Sequence, residues 1–308
     1  MWSPSSRALG PLSFFLVGCW TVAASGAPPS SSSPLTIACD EPCGEPRPPV
    51  LAAAPRLSDG FLLMTAGARV NRSGADGSPA AWGGGVVLAT YGYTNEALFP
   101  LRSFRGRSVF APGGGATGFD GELVYDLAAG HRISFGEHHG VFGRVGFDAE
   151  ALRGRVYFSK VELPQVQLGY QVLNANKLHV ELAARGGFVL IGRENVVESS
   201  RRPLGGSVSW GGYATFGLEF LRFELEADRY EAHASEPKTP VYAFRGSLCG
   251  LPAFLMLCAD ARHFRGDQQL DAGGTRDRSA WYGALTVSYV IPLPGQERSP
   301  GAVPDEKR

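Results

Sequence analysis

The segment "LRFELEADRYE", residues 221–231, alternates strictly over its first eight positions. Leu221, Phe223, Leu225 and Ala227 take one set of positions, and Arg222, Glu224, Glu226 and Asp228 the other. A helix would scatter the four charges around its circumference. A strand places them all on one face, because successive side chains point to opposite sides. One side of this segment therefore meets an oily medium and the other a polar one.

The same pattern extends outward. In "SVSWGGYATFGLEF" (207–220), Val208, Trp210, Ala214, Phe216 and Leu218 oppose Ser209, Gly211, Tyr213, Thr215 and Glu219. A reversal at Phe220–Leu221 sets Glu219 against Arg222 and Leu218 against Phe223. In "PQVQLGYQV" (164–172) and "KLHVELAARGGFVL" (177–190), a turn at Asn174–Asn176 sets Val172 opposite Leu178, Tyr170 opposite Val180 and Leu168 opposite Leu182. Faces of like character meet at both turns, and a slip of one residue would put charges against hydrophobes throughout.

Further strand-like segments lie near 59–70, 81–92, 117–127, 140–150, 154–161, 241–249, 254–264 and 280–291. The total is about twelve strands, within a range of about ten to fourteen. Connections at 151–153, 173–177, 220–221 and 250–253 are short, whereas 128–139, 191–206 and 265–279 are longer. The stretch from Tyr93 to Ala116, which would fall on the short-turn side, is either an excursion on that side or holds further strands. Composition agrees with an all-β chain: 41 glycines, 11% aromatic residues and only 3 methionines in 308 residues. No run of about 18 apolar residues occurs in the body of the chain, which excludes a membrane helix there. Basic and acidic residues balance at 29 each, which argues against an electrostatic nucleic-acid binder.

The N-terminus reads as an export signal over residues 1–24: Arg7, an apolar core, then small residues. Two processing readings compete. Val22-Ala23-Ala24 suits ordinary cleavage before Ser25, while Leu16-Val17-Gly18-Cys19 resembles a lipobox that would leave a lipid on Cys19. Trp20 directly after that cysteine weighs toward ordinary cleavage. A Pro/Ser-rich linker (25–56) follows, then the strand-rich region 57–291 and a polar tail, 292–308. Beyond Cys19 the cysteines fall in two close pairs. Cys39 and Cys43 form a candidate disulfide in the linker, and Cys249 and Cys258 face each other if the chain turns near Leu251–Phe254. Neither pair has the histidine neighbours of a metal site.

A sandwich core or membrane lipid could take the oily face. Glycines 169, 187, 211 and 217 on the polar faces suit a crowded interior. In the last strand, "WYGALTVSYVI" (281–291), Trp281 and Tyr289 stand eight residues apart on the apolar face. That is roughly 26 Å of strand, or about 20 Å of height at a tilt of about 40°, close to the separation of two aromatic girdles. Gly283, Val287 and Tyr289 occupy the alternating positions of a terminal insertion signal. On these residues the region 57–291 resembles the Gram-negative outer-membrane β-barrel class. The resemblance implies an antiparallel up-and-down transmembrane barrel in the outer membrane, with membrane lipid and the barrel-assembly machinery, through the last strand, as partners. It gives no oligomeric state and implies no cofactor.

On that reading Arg144, Asp148, Glu181, Arg185, Arg222, Glu224, Glu226, Asp228, Arg245, Asp260 and Arg262 face the lumen. They either line a selective pore or fill the interior with compensating pairs, and the modest diameter favours the latter. "GHRISFGEHHG" (130–140) gathers His131, Glu137, His138 and His139, but at no metal-motif spacing, so a solvated loop is expected there. Asp260 and His263 fall on opposite faces and make a poor dyad. The function expected is a small porin or a structural or surface-interaction barrel, with loops 191–206 and 265–279 as the contact surface. A barrel enzyme acting on lipid or peptide, and a secreted ligand-binding β-protein, are the alternatives.

Overall fold

The computed structural model describes residues 63–76, 78–93, 102–115, 118–174, 178–195, 202–218, 220–231, 239–252, 254–269 and 274–291. The expected signal with Cys19, the linker with Cys39 and Cys43, and the tail 292–308 lie outside these residues.

Thirteen strands follow one another: β1 (Leu63–Ala75), β2 (Ser78–Tyr93), β3 (Arg102–Gly115), β4 (Gly118–Phe135), β5 (His139–Arg153), β6 (Phe158–Asn174), β7 (Leu178–Glu194), β8 (Arg202–Pro203), β9 (Ser207–Leu218), β10 (Leu221–Glu231), β11 (Val241–Gly250), β12 (Leu255–Gln269) and β13 (Thr275–Ile291). Every pairing is antiparallel, and apart from the two-residue β8 each strand pairs with its neighbours on both sides. β1 pairs with β13 from Met64–Ile291 to Ala75–Ala280, which closes the sheet. The fold is a closed barrel of twelve long strands, with β8 a short addition alongside β7. Closure leaves no long unpaired edge.

Both ends of the barrel strands, Leu63 and Ile291, lie at one rim, here the terminal rim. Connections 94–101, 136–138, 175–177, 219–220 and 251–254 belong to it. The distal rim carries 76–77, 116–117, 154–157, 195–206, 232–240 and 270–274. Long and short connections occur on both rims, so the expected rhythm of loop length holds only in part.

The strand map corrects the sequence reading in four places. The unassigned stretch 93–116 contains β3. Segments 154–161 and 164–172 are not two strands but one, β6, whose ladder shifts register around Leu163–Pro164, a cis peptide bond. Pro164 carries no N–H for the ladder, and the shift accommodates it. Residues 128–135 continue β4 instead of forming a loop, and most of 265–279 is strand. The two reversals are also shifted by two residues each. Phe223 pairs with Phe216 rather than Leu218, and Tyr170 with Leu182 rather than Val180. An even shift leaves every side chain on its expected face.

Candidate functional site in the barrel interior

Alternation has opposite outcomes on the two sides of the wall. Val70, Leu88, Phe110, Leu168, Leu225 and Leu285 all point outward and are exposed. Arg69, Glu122, Arg144, Lys160, Glu181 and Glu226 point inward and are buried. A water-soluble protein does the reverse with its large apolar and charged side chains. Outward charge gathers with the aromatic rings toward the ends of the strands: Arg72 stands 5.1 Å from the ring of Trp82 and 5.8 Å from that of Trp281, and Arg229 lies 5.3 Å from Trp210. Tyr289 is exposed eight residues further along β13 from Trp281.

Inside, the charges are joined. Arg144 on β5 donates to both carboxylate oxygens of Glu181 on β7 (2.6 and 2.9 Å) and to Ser103 on β3 (2.7 Å). The Tyr213 hydroxyl accepts from Arg144 (3.0 Å) and donates to Glu181 (2.5 Å). Arg185 pairs with Asp228, Arg222 with Glu224, and Arg262 with Glu122 and Glu150. Arg245 lies 3.5 Å from Asp260, and Asp148 accepts from Lys160 at 2.5 Å. All eleven charges named from the sequence thus have opposite-charge partners within this network.

The network crosses the barrel. Arg105 on β3 donates to Glu226 on β10 at 2.6 Å, and Arg107 donates to Glu224 at 3.3 Å. β3 and β10 lie six ladders apart whichever way the ring is followed, and so do β5 and β12, joined by Glu150–Arg262. These are opposite walls. Side chains from opposite walls thus meet across the full ring at that level. Arg105, Arg107, Lys160, Glu122 and Glu162 were not singled out from the sequence. For the two arginines a signal existed: in "RSFRGRSV" (102–109), Ser103, Arg105 and Arg107 alternate with Phe104, Gly106 and Ser108. Glycine and serine on the outward positions blurred it.

Hydrocarbon clusters lie on either side of this layer. Toward the distal rim Phe158 packs against Phe264 (ring centroids 4.8 Å) and Tyr230 (5.6 Å), with Leu204, from the turn after β8, wholly buried beside them. Toward the terminal rim the Cys249–Cys258 disulfide sits with Leu63, Leu251, Met256 and Val290. Between the charged layer and this end is a cavity of about 10 Å³ bordered by Thr65, Arg69, Tyr91, Asp260 and Ser288, room for about one water molecule.

The build is a closed antiparallel barrel of twelve long strands with apolar side chains outward and charged ones inward. No protein-family model and no curated protein sequence matches the chain. Among solved structures, the NanC porin is 14% identical over 73% of this chain and 100% of its own, with a TM-score of 0.37. The KdgM porin is 10% identical over 75% and 100%, also at 0.37. The COG4313 outer membrane channel from Pseudomonas putida F1 is 13% identical over 80% and 100%, again at 0.37. At such scores the architecture rests on the strand pairing itself.

The histidine-rich segment is not assembled into a site. His131 points outward from β4, Glu137 and His138 lie in the turn 136–138 with 3.9 Å between His138 Nε2 and the carboxylate, and His139 is hydrogen-bonded to the Tyr170 hydroxyl. Asp260 faces inward and His263 outward. Among the described residues no cluster of His, Cys, Asp and Glu could hold a metal ion.

Proposed function

We propose that the protein is a porin-like barrel of the outer membrane, without identifiable catalysis, whose interior is held closed at rest by its own ion pairs. The inverted polarity of the wall supports the location: an exposed apolar band bounded by aromatic residues matches hydrocarbon and not water. Membrane lipid is accordingly its first partner. The alternating Gly283, Val287 and Tyr289 on the last strand are the residues the assembly machinery would engage.

The observation that carries the closed state is the contact of Arg105 and Arg107 with Glu226 and Glu224 across opposite strands. A solute could pass only after these pairs part. Conductance across a planar bilayer tests this. The native protein is expected to show rare, small openings. Replacing Glu224 and Glu226 by Gln, which weakens the crossing pairs while keeping side-chain size, is expected to make openings frequent. Steady, large native conductance would overturn the closed state. A protein recovered only as a soluble species, without a heat-dependent shift in gel mobility, would overturn the membrane reading.

A further inference from the structure

The outer wall of β9–β13 carries an open apolar depression of about 770 Å³. Its origin is a belt of small side chains. Across these strands Ala214, Leu225, Gly246, Ala261 and Gly283 stand in one row, and Gly212 and Ala227 lie in the next row toward the distal rim. One row further toward the terminal rim, larger side chains return at Phe216, Phe223, Leu248 and Leu285, with Ala259 between the last two. Phe244 and Trp281 rise as ridges on the distal side.

Two of the glycines are not required by the wall itself. A Cβ on Gly246 would come no nearer than 3.6 Å to Leu225, and one on Gly283 no nearer than 3.9 Å to the Asp260 carbonyl. By contrast, a Cβ on Gly211 would fall 2.1 Å from the Ala227 carbonyl oxygen. A side chain could start from 246 or 283 without meeting the wall. Charge lies immediately beyond. Arg229, Tyr242 and Arg265 form the next outward row toward the distal rim, with the Arg229 guanidinium carbon 5.5 Å from the Tyr242 ring. Arg229 contacts Glu231 at 2.6 Å and Arg265 contacts Asp277 at 2.8 Å. The Arg229 pair is half-buried, whereas the Arg265 pair is exposed and such a pair contributes only about 0–1 kcal/mol. A phosphate, which accepts bidentate bonds from guanidinium, can displace either carboxylate.

We propose that this depression binds a phosphorylated, multiply acylated glycolipid of the lipid A kind. An acyl chain lies along the small-residue belt, and a phosphate sits over Tyr242 between Arg229 and Arg265. The proposal rests on the membrane reading above. Within the proposal the distal rim, opposite the strand ends Leu63 and Ile291, is taken as the outer-leaflet side, where such a lipid resides. The cations beside the groove favour a phosphorylated lipid over a second copy of the chain.

Native mass spectrometry of protein extracted from outer membranes in mild detergent tests it. Wild type is expected to retain an adduct of lipid A mass. Filling the belt (Gly246→Leu with Gly283→Leu) and removing the phosphate contacts (Arg229→Gln with Arg265→Gln) should each lower its occupancy by about tenfold. Both pairs lie on the outer face, and the arginine pair in particular leaves the interior untouched, so a heat-dependent gel shift is expected to persist. Folded wild type without the adduct, or an adduct unchanged in the arginine variant, would overturn the proposal. So would equal retention of phosphatidylglycerol, or a doubled mass lacking lipid. Loss of the gel shift in wild type itself would instead defeat the membrane reading.

Discussion

The middle of the barrel and the regions toward its two ends are packed by different means. In the middle, arginines and carboxylates from opposite walls meet; toward the ends, Phe158, Phe264 and Tyr230 on one side and the disulfide with Met256 and Leu63 on the other form apolar clusters. A charge buried without its partner is costly, whereas a trimmed hydrocarbon leaves only a void. The middle is therefore an all-or-none arrangement and the ends are graded ones.

The sharpest way to break this contrast is Glu226→Ala. Glu226 lies within 2.6 Å of Arg105, 3.6 Å of Arg107 and 3.5 Å of Arg185, so its loss leaves buried guanidinium charge short of a partner. Destabilisation of about 3–5 kcal/mol is expected, read from the urea midpoint of the barrel refolded in liposomes. A double change that also removes Arg105 should recover part of that loss; no recovery would mean that the pair is not an energetic unit. Phe158→Ala comes next, at about 3 kcal/mol by the same measurement, because the ring contacts to Phe264 and Tyr230 go but no charge is stranded. The smallest effect is expected at the terminal rim. Replacing Cys249 and Cys258 by Ser opens a loop closed over a separation of only nine residues, and a loss of about 2 kcal/mol should follow. A loss from Cys replacement that exceeded Glu226→Ala would invert the comparison.

The sequence disclosed faces better than partners. Alternation in 221–231 and its neighbours separates two faces, since face depends only on whether a position is odd or even. Register depends on turn geometry. The turns at 175–177 and 219–220 lack the Asn-Gly signature that fixes a two-residue loop, and there the pairing differs by two. Cys249 opposite Cys258 was found directly. β3 was missed because Gly106 and Ser108 dilute its outward face, and the end of β4 because His131 stands outward between Ala129 and Ile133. The crossing pairs could not be read at all. Which arginine meets which glutamate across the ring depends on the relative tilt and height of strands far apart in sequence, and alternation carries no information about either.

One consequence of the closing ladder concerns how the chain folds. All the long ladders except one join strands that follow each other along the chain with little between them, so most of the wall can assemble as a succession of local hairpins. The exception is the seam between β1 and β13, where contacts such as Asp76 with Ser279 span 203 residues. The entropy of that one long closure grows only slowly with its length, but it falls due in a single event. Until then both terminal strands are adhesive edges, able to capture a strand of another chain as readily as each other. The seam is thus the kinetic weak point of a molecule whose finished wall has none.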